Sequence, residues 1–294
     1  MYVGRFAPSP SGPLHLGSLV VALASFLDAR VASGRWLVRI EDIDTPRCAP
    51  GVDQIILRQL SQLGMTWDGA LWYQSKRLQA YERAFNSLKA QSKVYPCACT
   101  RREIADSVVA VHGALPGGER PYPGTCRNGL PPDREPKSWR FRVPSGTVRF
   151  RDRWCGEQSQ CVEQQVGDFV VRRADGVWAY QMAVVVDDAA QGVTDVVRGQ
   201  DLLSSTARQQ LLAQALGASI PNVMHIPLVT DDNGLKLSKQ NAAPSINTDN
   251  PLITLLSAWQ HMGLGPLSAA SVDQFWAQAT ASWAGHFFGR RLAP

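Results

Sequence analysis

Residues 5–18, Arg-Phe-Ala-Pro-Ser-Pro-Ser-Gly-Pro-Leu-His-Leu-Gly-Ser, restrict what this chain can fold into more than any other stretch. They separate a short apolar segment, residues 2–6, from a run with Leu19, Val20, Leu23, Phe26, Leu27 and Val31 in helical spacing. A strand over 2–6 and a helix over 17–32 are therefore expected, joined by a stiff loop. Pro8, Pro10 and Pro13 fix backbone angles, while Gly12 and Gly17 let the chain turn and let a ligand approach the backbone. A strand-to-helix turn of this kind offers free N–H groups and the positive end of a helix dipole, which suits a phosphate. His15 can donate a hydrogen bond to the same anion. Taken alone, the loop also fits an ordinary connection carrying a surface histidine.

The second constraint lies far away. Leu235-Lys236-Leu237-Ser238-Lys239-Gln240 follows an apolar run, residues 225–229, and the turn Asp231-Asp-Asn-Gly234. Two lysines three apart suit a loop that carries positive charge onto a polyphosphate. Between these motifs, residues 1–95 alternate strand and helix: strands at 2–6 and 36–40, helices at 18–33, 51–63 and 77–93. That order argues for an open parallel sheet with ligands at the strand ends. Residues 96–175 break the pattern with many prolines and glycines and with β-like runs at 139–143, 147–151 and 168–173, and read as an inserted, mainly β module. The α/β pattern resumes over 176–245, with strands expected at 177–186, 193–198 and 225–229 and a helix at 204–216. Short helices are expected in the C-terminal region, 246–294.

The chain of 294 residues is long enough for two domains, and 45% hydrophobic and 19% charged residues are ordinary for a globular protein. No apolar run reaches membrane-spanning length and no signal-peptide pattern opens the chain, so a cytoplasmic protein with no membrane contact is expected. A net charge of +5 favours a polyanionic partner. In that compartment the six cysteines are to be tested first as metal ligands rather than disulfides. Cys97-Ala-Cys99 and Cys126 supply three thiols; Tyr122, His112, Cys155 and Cys161 compete for the fourth place of a structural zinc site.

Pro10-Ser-Gly-Pro-Leu-His15-Leu-Gly17 and Lys236-Leu-Ser-Lys239 together resemble the two signature sequences of the class I aminoacyl-tRNA synthetases. Arg5-Phe-Ala-Pro-Ser9, Arg39-Ile-Glu-Asp42, Trp178-Ala-Tyr180, Val184-Val-Val-Asp-Asp188 and Val197-Arg-Gly-Gln-Asp-Leu-Leu203 narrow the likeness to the glutamyl/glutaminyl branch. The resemblance implies a Rossmann-like parallel sheet split by an inserted zinc module. It implies ATP with Mg²⁺ and L-glutamate as substrates: Arg5, Ser9, Glu41, Tyr180 and Arg198 around glutamate, His15, Gly17 and Lys239 at ATP, with His15, Lys236 and Lys239 acting in catalysis. The physical match is direct, since glutamate has two carboxylates for two arginines and one ammonium for an acid. A Cys-x-Cys pair followed by Tyr-x-x-x-Cys looks like the zinc module of the short glutamyl-synthetase relatives, which favours Tyr122 as fourth ligand. Ser18 and Gln240 depart from the signatures, where many relatives have histidine and serine.

Only residues 240–294 follow the lysine pair, less than an anticodon-binding domain would need. The likeness is thus to the truncated branch that attaches glutamate to queuosine in the anticodon of aspartate tRNA, with tRNA(Asp) as partner, Arg101, Arg102, Arg120 and Arg127 for phosphate contacts, and a monomer expected. The alternatives are a shortened enzyme charging a tRNA 3′ end, a nucleotidyltransferase acting on a small molecule, and an idle tRNA-binding module.

Overall fold

The computed structural model describes residues 1–104, 121–229 and 244–289. His112, Arg120, Lys236, Lys239 and Gln240 lie outside the described residues. In chain order the elements are β1 (Val3–Phe6), α1 (Leu16–Val31), β2 (Arg35–Ile40), α2 (Val52–Gln62), β3 (Trp72–Tyr73), α3 (Leu78–Ala90), β4 (Val94–Cys97) and β5 (Ser138–Phe141). They continue with β6 (Val148–Asp152), β7 (Gly156–Gln160), α4 (Val162–Gln165), β8 (Val170–Arg172), α5 (Tyr180–Gln191) and β9 (Asp195–Gly199). The chain then forms α6 (Thr206–Ala215), β10 (Asn222–Ile226), α7 (Pro251–Gln260) and α8 (Val272–Phe287).

Strands β1, β2 and β3 pair in parallel, with Arg5 opposite Leu37. Strands β9, β10 and β6 also pair in parallel, and β7 folds back antiparallel on β6. The two sheets abut where Thr194, just before β9, donates its N–H to Val3 O at 2.9 Å and accepts from Val3 N through Oγ1 at 2.9 Å. From that seam the strand order runs outward in both directions, β1 to β2 and β9 to β10. This is the topological switch point at which open α/β sheets bind ligands. A third, antiparallel sheet, β4–β5–β8, carries the cysteine-bearing turn at the end of β4. Among the described residues no helix is long and apolar enough to cross a membrane.

Helix α1 is buried on nearly every side. Leu19, Leu23 and Leu27 pack with Trp36 from β2, Trp259 from α7, and Phe275 and Trp283 from α8. The C-terminal helices thus complete the core of the first sheet. Asp28, fully buried on α1, gathers four groups: Tyr2 Oη at 2.5 Å, Arg153 Nη1 at 2.5 Å and Nη2 at 2.9 Å, and Trp283 Nε1 at 2.9 Å. A buried carboxylate is tolerable only when paired and hydrogen-bonded in this way.

Three expectations are corrected. Residues 177–186 do not form a strand; from Tyr180 onward they lie in helix α5, which ends at Gly192 in the left-handed conformation (φ 66°). A β-branched run bounded by a turn reads the same as a buried strand, and here α5 is buried along most of its length, so period alone could not separate the two. Residues 148–160, expected within the insert, form the β6–β7 hairpin; it joins β10 of the parallel sheet instead of β4–β5–β8. The last strand also lies earlier than 225–229, at Asn222–Ile226.

Candidate active site

The C-terminal ends of β1, β2, β9 and β10 open into a cleft of about 560 Å³. Arg5, Ser9, His15, Gly17, Glu41, Tyr180 and Arg198 all line it. The sequence separates these residues by up to 193 positions between Arg5 and Arg198; the two half-sheets bring them together. The loop between β1 and α1 is pinned to the next strand, where Glu41 N donates to Pro8 O at 3.0 Å.

His15 is the N-cap of α1. Its Nδ1 accepts from Ser18 N at 3.3 Å, and Ser18 Oγ accepts from His15 N at 2.9 Å, a reciprocal capping box. With Nδ1 occupied as acceptor, a neutral ring carries its proton on Nε2, where it can be donated to an anion. Ser18, a departure from the family signature, therefore fixes the orientation of His15.

Arg5 is buried at 4% exposure on β1, and its Nε and Nη2 donate to Asp188 of α5 at 3.2 and 3.3 Å. Asp188 also meets Arg39 Nη1 at 2.8 Å. Burial pushes the Asp188 carboxyl up, but Arg5 and Arg39 outweigh it and hold the group below the ordinary carboxylate range. Arg39, fully buried, further touches Glu41 through Nη2 at 3.4 Å and Gln191 Oε1 through Nη1 at 2.7 Å. Burial raises the pKa of Glu41, and the attraction of Arg39 and Arg5 offsets only part of that rise. Tyr180, 36% exposed, stands at the first turn of α5 and lines the cleft.

Arg198, on β9, is held at three points. Its Nε donates to His225 Nε2 at 2.8 Å, its Nη1 to Gln209 Oε1 at 2.7 Å and its Nη2 to Thr206 Oγ1 at 2.9 Å. His225 in turn meets Asp152 Oδ2 through Nδ1 at 2.6 Å. Burial and the Arg198 charge push the His225 pKa down despite Asp152, so the ring is neutral. Burial opposes ionisation of Asp152, yet hydrogen bonds from His225 and from the backbone N–H groups of Cys155 and Trp154 hold it down to about 2. Sequence reasoning missed Arg39, Asp188, Asp152 and His225 as site residues. The first two stood inside the family-like segments; nothing local marked the other two.

The lysine loop lies outside the described residues, but both of its flanks are at this cleft. Pro227, Leu228 and Val229 line it on one side. On the other, Ile246 N donates to Leu14 O at 2.9 Å, beside His15, and Ser245 Oγ accepts from Gln59 Nε2 at 3.1 Å.

At the end of β4 a second cluster forms. The Sγ atoms of Cys97, Cys99 and Cys126 lie within 4.8 Å of one another. The Tyr122 Oη sits among them, 3.4 Å from Cys97 Sγ and 3.7 Å from Cys99 Sγ. Arg140 donates through Nε to Cys97 Sγ at 3.3 Å and stacks over the Tyr122 ring at 3.7 Å, placing a cation beside two of the four donors. Three convergent soft donors with a fourth atom among them can hold a metal ion. Cys155 is elsewhere, its Sγ on His225 O at 3.3 Å, and Cys161 stands at the start of α4.

The catalytic domain of the class I tRNA synthetases (E and Q) matches residues 2–266. The chain is 57% identical over 99% of its length to a glutamyl-Q tRNA(Asp) synthetase from Bordetella bronchiseptica, covering 92% of that protein. It is 54% identical over 96% of its length to one from Ralstonia nicotianae, covering 91%. Among solved structures it is similar to a glutamate tRNA ligase from Elizabethkingia meningosepticum in complex with its amino acid, with TM-score 0.78 and 26% identity over 94% of this chain. A glutamate-tRNA synthetase from Elizabethkingia anophelis aligns with TM-score 0.71 and 29% identity over 82% of this chain. The chain spans 64% and 53% of these two longer proteins. With a parallel sheet split at the switch point and a family match over most of its length, the chain belongs to the class I tRNA synthetases of the E and Q type and is an aminoacyl-tRNA synthetase-type ligase.

Proposed function

We propose that this chain activates L-glutamate with ATP·Mg²⁺ and transfers it to queuosine in the anticodon of tRNA(Asp). The observation that carries the glutamate half is the convergence of Arg5, Glu41, Tyr180 and Arg198 on one cleft with the capped N-terminus of α1. Arg198 takes a carboxylate in bidentate fashion, and Arg5, already partly neutralised by Asp188, takes the other. Glu41, buried beside Arg39 and lining the cleft, receives the α-ammonium. Tyr180 and Ser9 supply hydroxyls at the rim.

The glutamate α-carboxylate oxygen attacks the α-phosphorus of ATP, an O–P bond forms, and pyrophosphate leaves. The enzyme forms no bond to substrate; it neutralises and aligns. His15 and the N–H groups at Gly17 and the helix start receive phosphate oxygens. Lys236 and Lys239 cover the departing pyrophosphate. Mg²⁺ enters with ATP as charge compensation. A hydroxyl of the queuosine cyclopentene diol then attacks the adenylate carbonyl, AMP leaves, and an ester remains on the tRNA. The names of the relatives at 57% and 54% identity over nearly the whole chain support this acceptor.

Residues 97–126 are read as a zinc module, Cys97, Cys99, Cys126 and Tyr122 holding a structural ion that fixes the end of β4. Arg101, Arg102 and Arg127 nearby offer phosphate contacts that weaken with salt. Activation is tested by glutamate-dependent ATP–pyrophosphate exchange without tRNA. Exchange with glutamate and none with glutamine or aspartate is the expected result; absence of exchange with every amino acid contradicts the reading.

A further inference from the structure

Asp152 does not line the cleft, yet it governs the geometry of a residue that does. It ends β6, in the hairpin that pairs with β10. Its Oδ1 accepts three backbone N–H groups, Trp154 at 2.9 Å, Cys155 at 2.7 Å and His225 at 3.2 Å, which orient the carboxylate rigidly. The other oxygen, Oδ2, points at His225 Nδ1, 2.6 Å away. On the far side of the ring, Nε2 lies 2.8 Å from Arg198 Nε. Arg198 has only donors, so His225 Nε2 must be an acceptor there. The ring proton then sits on Nδ1, and the carboxylate beside it is the group that keeps it there. Asp152 and His225 are 1% and 0% exposed, so water cannot supply either partner.

We propose that Asp152 and His225 are positioning residues for the substrate-facing guanidinium of Arg198: the carboxylate fixes the Nδ1–H tautomer of His225, and the resulting Nε2 lone pair locks the Arg198 Nε edge. The inference rests on the reading that Arg198 binds a glutamate carboxylate. Two further acceptors, Gln209 Oε1 and Thr206 Oγ1, restrain the Nη atoms, so the histidine sets the in-plane rotation of the fork. An amide in place of the carboxylate tests this directly. Asp152→Asn keeps an oxygen for the three backbone N–H groups but turns an N–H toward His225 Nδ1. The proton then moves to Nε2, where it faces the Arg198 N–H, donor against donor. The same logic, with a histidine held in the wrong tautomer, follows an Asp-to-Asn change in serine proteases.

The experiment combines kinetics with ¹⁵N spectra of selectively histidine-labelled protein, which has five histidines to assign. In the parent, His225 shows a protonated Nδ1 and an unprotonated Nε2; in Asp152→Asn the two exchange. The glutamate KM rises about tenfold to a hundredfold, the value of a hydrogen bond to a charged group, while the ATP KM stays within about twofold. In a His225→Gln background, which has no tautomer to select, adding Asp152→Asn leaves the glutamate KM of that background within about twofold. A parent spectrum with the proton on Nε2, an unchanged glutamate KM in Asp152→Asn, or an equal penalty in both backgrounds overturns the inference. Arg198→Ala separates the two levels. If it leaves the glutamate KM unchanged, the reading of the site fails. If it raises the KM and Asp152→Asn does not, only the positioning role fails.

Discussion

The Asp188 carboxylate accepts from Arg5 Nε at 3.2 Å, so the cation expected to face glutamate is already half-committed to an acid on α5. Arg39 shares that acid at 2.8 Å. Without it, two buried guanidiniums would lose the carboxylate they share. Asp188→Asn removes the shared charge while keeping the shape. Its kcat/KM for glutamate in pyrophosphate exchange is expected to fall by about a hundredfold, within the roughly 2–5 kcal/mol typical of breaking one side of a buried charge pair. A change smaller than about threefold would show that Arg5 does not depend on Asp188 for its position.

The pH dependence follows from Glu41. Burial raises its pKa, so the charged form needed by an ammonium is lost at a higher pH than for an ordinary carboxylate. Above that pKa the free enzyme holds the anion and binds glutamate; as pH falls through it, a proton replaces the ammonium. The acid limb of kcat/KM for glutamate is therefore expected to bend above the usual glutamate side-chain value, about 4.3. Glu41→Gln should lose most activity and flatten that limb. An acid limb unchanged in the variant would assign it to another group.

Metal analysis tests the cysteine cluster. About one zinc per chain is expected, and Cys99→Ser should lose it and lower the melting temperature. Tyr122→Phe removes the oxygen that sits 3.4 Å from Cys97 Sγ and should weaken zinc retention against a chelator. Metal-free protein that melts at the same temperature and keeps full activity would contradict a structural role. Equal retention in Tyr122→Phe would exclude the phenol as ligand.

Asp28 is a test of architecture separate from chemistry. It ties Tyr2, Arg153 and Trp283 to α1 and lies outside the cleft. Asp28→Ala leaves a partly buried arginine and a buried indole N–H unpaired, and is expected to cost about 3 kcal/mol of stability. Urea denaturation measures it, with the glutamate KM of the folded variant expected to stay close to the parent. A loss below about 1 kcal/mol would mean that water replaces the carboxylate at this junction.

The parts of this protein legible in its sequence are those where local pattern and long-range structure agree. Proline and glycine around His15 mark the loop, and the apolar spacing after Gly17 marks α1, because both properties are read within one turn of chain. The cleft-lining set was legible through the resemblance to the glutamyl/glutaminyl synthetases, whose segments carry residue types that suit glutamate. Other features depend on partners the sequence does not place side by side. Asp152 and His225 stand 73 positions apart and meet only because β6 joins β10. Nothing near Asp152 distinguishes it from a surface acid. Residues 180–186 read as a strand because a helix buried on most sides shows no polar face. Arg39 and Asp188 belong to legible segments, but their pairing depends on α5 lying beside β1 and β2, which the sequence does not place together.

The central claim concerns where glutamate ends. Labelled glutamate and ATP are offered with tRNA(Asp) that carries queuosine, with tRNA(Asp) that lacks it, and with tRNA(Glu); the products are kept acidic and cut with a guanosine-specific nuclease. The account predicts label in the anticodon fragment of queuosine-bearing tRNA(Asp) alone. Label on a 3′-terminal adenosine, or equal transfer to tRNA(Asp) without queuosine, would contradict it.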